Sequence, residues 1–182
     1  MASPARFPKL ETRSGLVELR ATAQGRRLDG YATLYNVETP IADLFTEIVR
    51  PDAFRQTLDG GDDVLALVGH SVDALLARRS SGTLRLGSDT RGLSFDITLA
   101  DTSLGRDTLA MVERRDLTGC SIGFRIRPSG EAWAGSKRTL SAVELVELSI
   151  VPMPAVAGTS VEARTRCQGE LSRARSRMIE SI

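Results

Sequence analysis

The chain has 182 residues, enough for one ordinary domain with short tails, and its 41% hydrophobic and 26% charged residues are typical of a globular protein. Two cysteines and one histidine, His70, exclude a disulfide-stapled module, a cysteine zinc cluster and a site built on several histidines of one chain. The formal net charge of +1 predicts no bulk attraction to nucleic acid or anionic lipid.

The composition along the chain predicts three regions. Residues 1–14 are polar with two prolines and are expected to form a flexible arm. Residues 15–161 form the predicted domain, and residues 162–182 are an arginine- and serine-rich tail, either disordered or a short amphipathic helix. The N-terminus lacks the apolar core of a signal peptide and no apolar stretch could cross a bilayer, so we expect a protein that stays in the cytoplasm or inside something assembled there.

Alternation of apolar and polar residues dominates the predicted domain. The predicted elements, in chain order, are strands at 16–23 and 30–36, a helix at 51–59, strands at 64–69, 83–87 and 93–99, a helix at 102–115, and strands at 120–126 and 146–151. Pro51 favours the start of the first helix, and Thr102 or Ser103 is the expected N-cap of the second. About seven strands and two helices indicate a mainly β, α+β protein: a closed or nearly closed β-barrel flanked by helices.

Three residues could carry chemistry. His70 ends the segment VLALVGH, which has strong β character. Ser121 alternates with the apolar Cys120 and Ile122, and Glu147 alternates with Leu148 in the same way, so both are expected on the outer wall of the barrel. Each residue taken alone is more often structural or solvated than functional. Together they supply the hydroxyl, the imidazole and the third polar group that serine hydrolysis needs, although the spacing does not show that they meet.

Six segments of the chain, taken together and in order, form a further pattern. They are GYATLYN, FTEIVRPDAF, VGHSVDALLARRSSGTLRL, RGLSFDITL, CSIGFRI and VELSIVPMPAV, spread over residues 30–156. No single segment is specific, but the ordered set resembles the prohead serine proteases of tailed phages, the enzymes that mature the capsid. The pattern departs from that family where Ser71 replaces an aspartate after the histidine, and where Ala77 stands in the Leu-Gly-Arg position.

The resemblance implies a role for each candidate residue. Ser121, in the S-x-G-F segment, would be the nucleophile, and His70 would be the general base. Glu147 is the choice for the third member of the triad. Glu144 is also close, but alternation places it on the barrel face, where an unpaired charge is unfavourable.

The same resemblance implies the fold, partners and place of action. The fold would be a β-barrel with surrounding helices, similar to herpesvirus capsid proteases. The partners would be the major capsid protein or a scaffold protein, cleaved inside the procapsid in the host cytoplasm, and the enzyme would also cleave itself. A homo-oligomer is compatible with this function. No metal, cofactor, direct nucleic-acid role or membrane is expected.

Two alternatives stay open at this point. One is a non-enzymatic, protease-like assembly or scaffolding factor, which would leave particle maturation unchanged in a His70→Ala variant. The other is a cysteine hydrolase that uses Cys120, although alternation directs this thiol into the barrel as packing.

Overall fold

The structure is a computed structural model that describes residues 9–15, 19–22, 26–42 and 44–152. The predicted C-terminal tail, 162–182, lies outside the described residues. The strands of the described residues are β1 (Glu11–Gly15), β2 (Leu19–Thr22), β3 (Arg27–Leu34), β4 (Thr39–Ile41), β5 (Phe45–Val49), β6 (Leu65–Val68), β7 (Ser71–Arg78), β8 (Leu84–Ser88), β9 (Gly92–Thr98), β10 (Gly119–Ile126), β11 (Glu131–Ala134), β12 (Lys137–Leu140) and β13 (Val143–Val151). The helices are α1 (Arg55–Gly60) and α2 (Ser103–Glu113).

The strands pair into three sheets. The five-stranded sheet has the order β1-β10-β13-β6-β7, and all its neighbours are antiparallel except β13 and β6. A second sheet has the order β11-β12-β5-β4, and a third has the order β2-β3-β9-β8. The mainly β, α+β class is therefore confirmed. The expected closed barrel is not formed by the described residues, because each of these sheets is open and ends in two edge strands.

One hydrophobic core joins the three sheets. The apolar residues that alternate along β9 and β10 are buried in it as predicted: Leu93, Phe95, Ile97, Ile122 and Phe124. β12 adds Leu140, and β13 adds Leu148 and Ile150. Burial of apolar surface from all three sheets in one cluster is the main favourable term that holds them together.

The two helices differ in how well the sequence predicts them. In α2 the Thr102 hydroxyl accepts a hydrogen bond from the Gly105 N–H at 3.2 Å, so the N-cap prediction is confirmed. α1 is shorter than predicted, because Pro51 lies in a turn before the helix; Gly61 ends it with a left-handed φ of +72°. Among the described residues, neither helix is long and apolar enough to span a membrane.

The strand β1 lies in a segment that the sequence analysis places almost entirely in the flexible arm. Its sequence, ETRSG, contains no apolar residue. It is a strand because its backbone pairs with β10 over five positions, from Glu11 opposite Phe124 to Gly15 opposite Cys120. The short strands β4, β5, β11 and β12 and the eight-residue strand β7 are also absent from the prediction, since strand propensity depends on neighbouring strands that a local pattern does not reveal.

Candidate active site

Two neighbouring strands place the candidate residues on one face of the five-stranded sheet. In the β10–β13 pair, Ser121 lies directly opposite Ser149, and Gly123 lies directly opposite Glu147. The alternate residues of both strands, including Ile122 and Leu148, point into the core from the other face. The predicted alternation therefore separates Ser121 and Glu147 from the apolar face.

The histidine stands in a tight turn at one end of this face. Gly69 and His70 connect β6 to β7, with Val68 paired to Ser71, and both turn residues have positive φ angles of 59° and 64°. Positive φ at both central residues is the requirement of a type I′ hairpin turn. The Gly69 N–H donates to the Ile150 carbonyl at 3.0 Å, which ties the turn to β13.

Two hydrogen bonds hold His70 over β13, and a third joins their partners there. Its Nδ1 pairs with Glu147 Oε1, and its backbone N–H donates to the Ser149 hydroxyl at 3.1 Å. The Ser149 hydroxyl in turn donates to Glu147 Oε2 at 3.4 Å. A carboxylate at Nδ1 places the proton of the neutral imidazole on that nitrogen and leaves the lone pair on Nε2. His70 Nε2 is buried and has no hydrogen-bond partner among the described residues, so it is available to accept a proton.

Ser121 lies in the middle of a row of three serines. Its Oγ accepts a hydrogen bond from Ser14 Oγ at 3.0 Å, across the β1–β10 pair, and Ser149 flanks it on β13. The expected position on an exposed outer wall is wrong for Ser121, which is fully buried, and for Glu147, which is 6% exposed. β1 lies beside Ser121, and the His70 turn lies beside Glu147. Alternation along a single strand does not predict such neighbours.

Gly123 leaves the space that the Glu147 carboxylate occupies. A Cβ atom built on Gly123 would lie 2.6 Å from Glu147 Cγ and 2.8 Å from Oε1. These distances are shorter than any normal contact between non-bonded atoms. The glycine of the S-x-G-F segment is therefore the residue that lets Glu147 fold back over β10 towards His70.

The argument from alternation against Glu144 is wrong. The β10–β13 register shifts after Gly123, so that Phe124 faces Leu145 and Val146 is an extra residue in β13. This bulge reverses the alternation and turns Glu144 away from the core, where its partly exposed side chain pairs with Arg125 at 3.1 Å. It is the contact with His70 that distinguishes Glu147 from Glu144.

Cys120 lies on the core face of β10. Its side chain is fully buried, and this burial raises the pKa of the thiol well above its ordinary value. A neutral, buried thiol is a poor nucleophile. This geometry gives the cysteine-hydrolase alternative no support.

A cluster of charged side chains fixes β1 beside the site. Arg13 on β1 bonds to the buried Glu47 of β5 at 2.7 Å, and Glu11 on β1 bonds to the buried Arg138 of β12 at 2.8 Å. Arg138 also contacts Glu47 at 3.2 Å and Glu131 at 2.7 Å. We call Glu11, Arg13, Glu47, Glu131 and Arg138 the β1 ion cluster. It joins the edge of the five-stranded sheet to the β11-β12-β5-β4 sheet.

Three residues of the site are missing from the sequence analysis: Ser14, Gly123 and Ser149. Gly123 and Ser149 lie in segments that carry the resemblance, so those segments were the available signal. Ser14 lies in the predicted flexible arm and carries no signal of its own, because its position depends on the pairing of β1 with β10.

Comparison with known proteins gives one match, to a family model. No curated protein and no solved structure matches the chain. A family model described as caudovirus prohead serine protease matches residues 11–173. The match covers most of the 182 residues and includes Ser14, His70, Ser121, Glu147 and Ser149. On this match, the chain belongs to the caudovirus prohead serine protease family.

Proposed function

We propose that the protein is a serine endopeptidase with Ser121 as nucleophile, His70 as general base and Glu147 as the third member of the triad. Membership of the prohead serine protease family implies a capsid-maturation protease. The observation that carries the assignment of residues is the His70–Glu147 hydrogen bond, which lies on the same sheet face as Ser121 and leaves Nε2 without a partner among the described residues.

Each step of the proposed mechanism uses Ser121, His70 or Glu147. As Ser121 Oγ forms a bond to the scissile carbonyl carbon, its proton moves to His70 Nε2. The C–N bond then breaks, and Nε2 gives this proton to the departing amine. Water attacks the acyl-enzyme, Nε2 takes its proton, and the proton returns to Ser121 Oγ when the ester bond breaks. Glu147 holds the imidazole in the required tautomer and stabilises the imidazolium form.

Binding of the substrate is expected to bring Ser121 and His70 into hydrogen-bond contact. Ser121 Oγ and His70 Nε2 share no hydrogen bond in the structure. Such bonds are often long or absent without substrate and tighten in the complex. We expect a rotation of the Ser121 or His70 side chain to form this hydrogen bond.

For the biological substrate, we propose the scaffolding segment of the major capsid protein, or a separate scaffold protein, together with the protease chain itself. The reaction would take place inside the procapsid, which assembles in the host cytoplasm. Removal of the scaffold would free the interior for DNA.

The test is co-expression with the major capsid protein of the same gene cluster, followed by intact-mass measurement of both proteins. Ser121→Ala is compared with the wild type and with Ser141→Ala, a matched change at an exposed serine outside the site. We expect shortened capsid protein with the wild type and with Ser141→Ala only. Cleavage by Ser121→Ala would refute the assignment of the nucleophile. Full-length products in all three would instead favour the assembly-factor alternative.

A further inference from the structure

We propose that Ser14, on the N-terminal strand β1, is a further catalytic residue: a hydrogen-bond donor to the nucleophile that the site needs for full activity. This inference rests on the proposed function. Ser14 lies directly opposite Ser121 in the β1–β10 pair, and its hydroxyl donates to Ser121 Oγ at 3.0 Å.

The direction of this hydrogen bond gives it a chemical effect. A hydroxyl has one proton to donate and two lone pairs that accept. Because Ser121 Oγ accepts from Ser14, its own proton stays available for His70 Nε2, which has no partner among the described residues. Donation to Oγ also stabilises the negative charge that develops there as the proton leaves, and hydrogen bonds to charged oxygens are the stronger ones.

Ser14 is well placed to act on both halves of the reaction. During acylation it supports Oγ while the new bond to the carbonyl carbon forms and the proton passes to Nε2. During hydrolysis of the acyl-enzyme it supports the same oxygen as a leaving group. Ser14 keeps its own proton throughout, so it is neither an acid nor a base.

The fold holds this donor in position. β1 has no apolar residue to anchor it, but its two charged residues, Glu11 and Arg13, form ion pairs within the β1 ion cluster. The buried partners in that cluster, Glu47 and Arg138, belong to a different sheet. Glu11 and Arg13 therefore fix the position of β1, and Ser14 acts on the nucleophile.

The experiment measures how fast diisopropyl fluorophosphate modifies Ser121 of the full chain from pH 5 to pH 9. In this reaction the Oγ–phosphorus bond forms, fluoride leaves and His70 takes the proton, so no protein substrate is needed. The variants are Ser14→Ala, Ser14→Thr, which keeps the hydroxyl, and Thr12→Ala. Thr12 is the matched control, since it lies on β1 opposite Gly123 and its hydroxyl bonds to no described residue. Thermal melting of each variant is recorded in parallel.

We expect Ser14→Ala to lower the rate of modification roughly ten- to a hundredfold at every pH, as for the loss of one hydrogen bond to a charged group. Ser14→Thr should restore most of the rate, and Thr12→Ala should match the wild type. Equal rates for Ser14→Ala and the wild type would overturn this inference while leaving the proposed function intact. Loss of the rate in Ser14→Thr as in Ser14→Ala, with lowered melting temperatures, would also overturn it, because that result indicates a purely structural role. A wild-type protein that is not modified at Ser121 would overturn the proposed function and this inference together.

Discussion

Glu147 occupies the space above β10 that a side chain at position 123 would fill. The carboxylate can reach His70 because Gly123 has no side chain. We predict that Gly123→Ala displaces the Glu147 carboxylate and lowers the rate of Ser121 modification roughly a hundredfold, the usual effect of misplacing a catalytic group by about 1 Å. The measurement is the same fluorophosphate reaction, with the folded fraction checked by circular dichroism.

The matched control for this substitution is Gly87→Ala in β8. There a new Cβ would lie 2.9 Å from the hydroxyl of Ser94, also in a sheet but away from the candidate site. This variant reports the general effect of an added methyl group in a strand and should keep the wild-type rate. If Gly123→Ala reacts as fast as Gly87→Ala, the role of Gly123 in placing Glu147 is wrong.

The strand β1 depends on charge rather than on apolar burial, and this makes its docking sensitive to acid. Burial alone raises the pKa of Glu11, but the hydrogen bond from Arg138 and the charges of Arg13 and Arg138 outweigh it, so the pKa lies below its ordinary value. A group with a lowered folded-state pKa contributes stability above its unfolded pKa, about 4.3 for glutamate. This contribution is lost as the pH falls through the lower, folded-state pKa.

We therefore predict that Glu11→Gln lowers the free energy of unfolding at pH 7, and that its difference from the wild type disappears as the pH falls from about 5 towards 2. The measurement is urea unfolding at a series of pH values. Glu38→Gln is the control, because its ion pair with Lys137 is half exposed and should contribute at most about 1 kcal/mol. A constant difference between Glu11→Gln and the wild type at all pH values would contradict the prediction.

The single core predicts that the three sheets unfold as one cooperative unit. Leu148 is fully buried in this core, whereas Val72 on the edge strand β7 is 72% exposed. We predict that Leu148→Ala lowers the free energy of unfolding by about 2–5 kcal/mol, the range for large-to-small changes in a core, and that Val72→Ala changes it by less than about 0.5 kcal/mol.

The single tryptophan, Trp133 on β11, allows the cooperativity to be measured directly. Its fluorescence reports the β11-β12-β5-β4 sheet, to which Leu148 does not belong, while circular dichroism reports all the strands. Both transitions should shift together in Leu148→Ala. A tryptophan transition that stays at its wild-type midpoint would show that the β11-β12-β5-β4 sheet unfolds separately.

The sequence predicts most of the elements that build the core and fewer of those that complete the site. Strands with strict alternation, such as β9 and β10, and the Thr102 cap of α2 are local features, so a local pattern finds them. The bulge at Val146 and the strand β1 depend on a partner distant in sequence, and the pattern gives the wrong direction for Glu144 and the wrong state for residues 11–14. The boundaries proposed for the domain, 15–161, stay a prediction.

The position of His70 has a consequence for attempts to make this protein more heat-resistant. A non-glycine residue with a positive φ, here 64°, is less favourable than glycine at the same place by about 1 kcal/mol, and asparagine is also better suited to it. Selection for thermostability alone would therefore favour glycine or asparagine at this position, and either would remove the general base proposed above. On the proposed function, folding and catalysis favour different residues in this turn, so a screen for more stable variants has to select for activity at the same time.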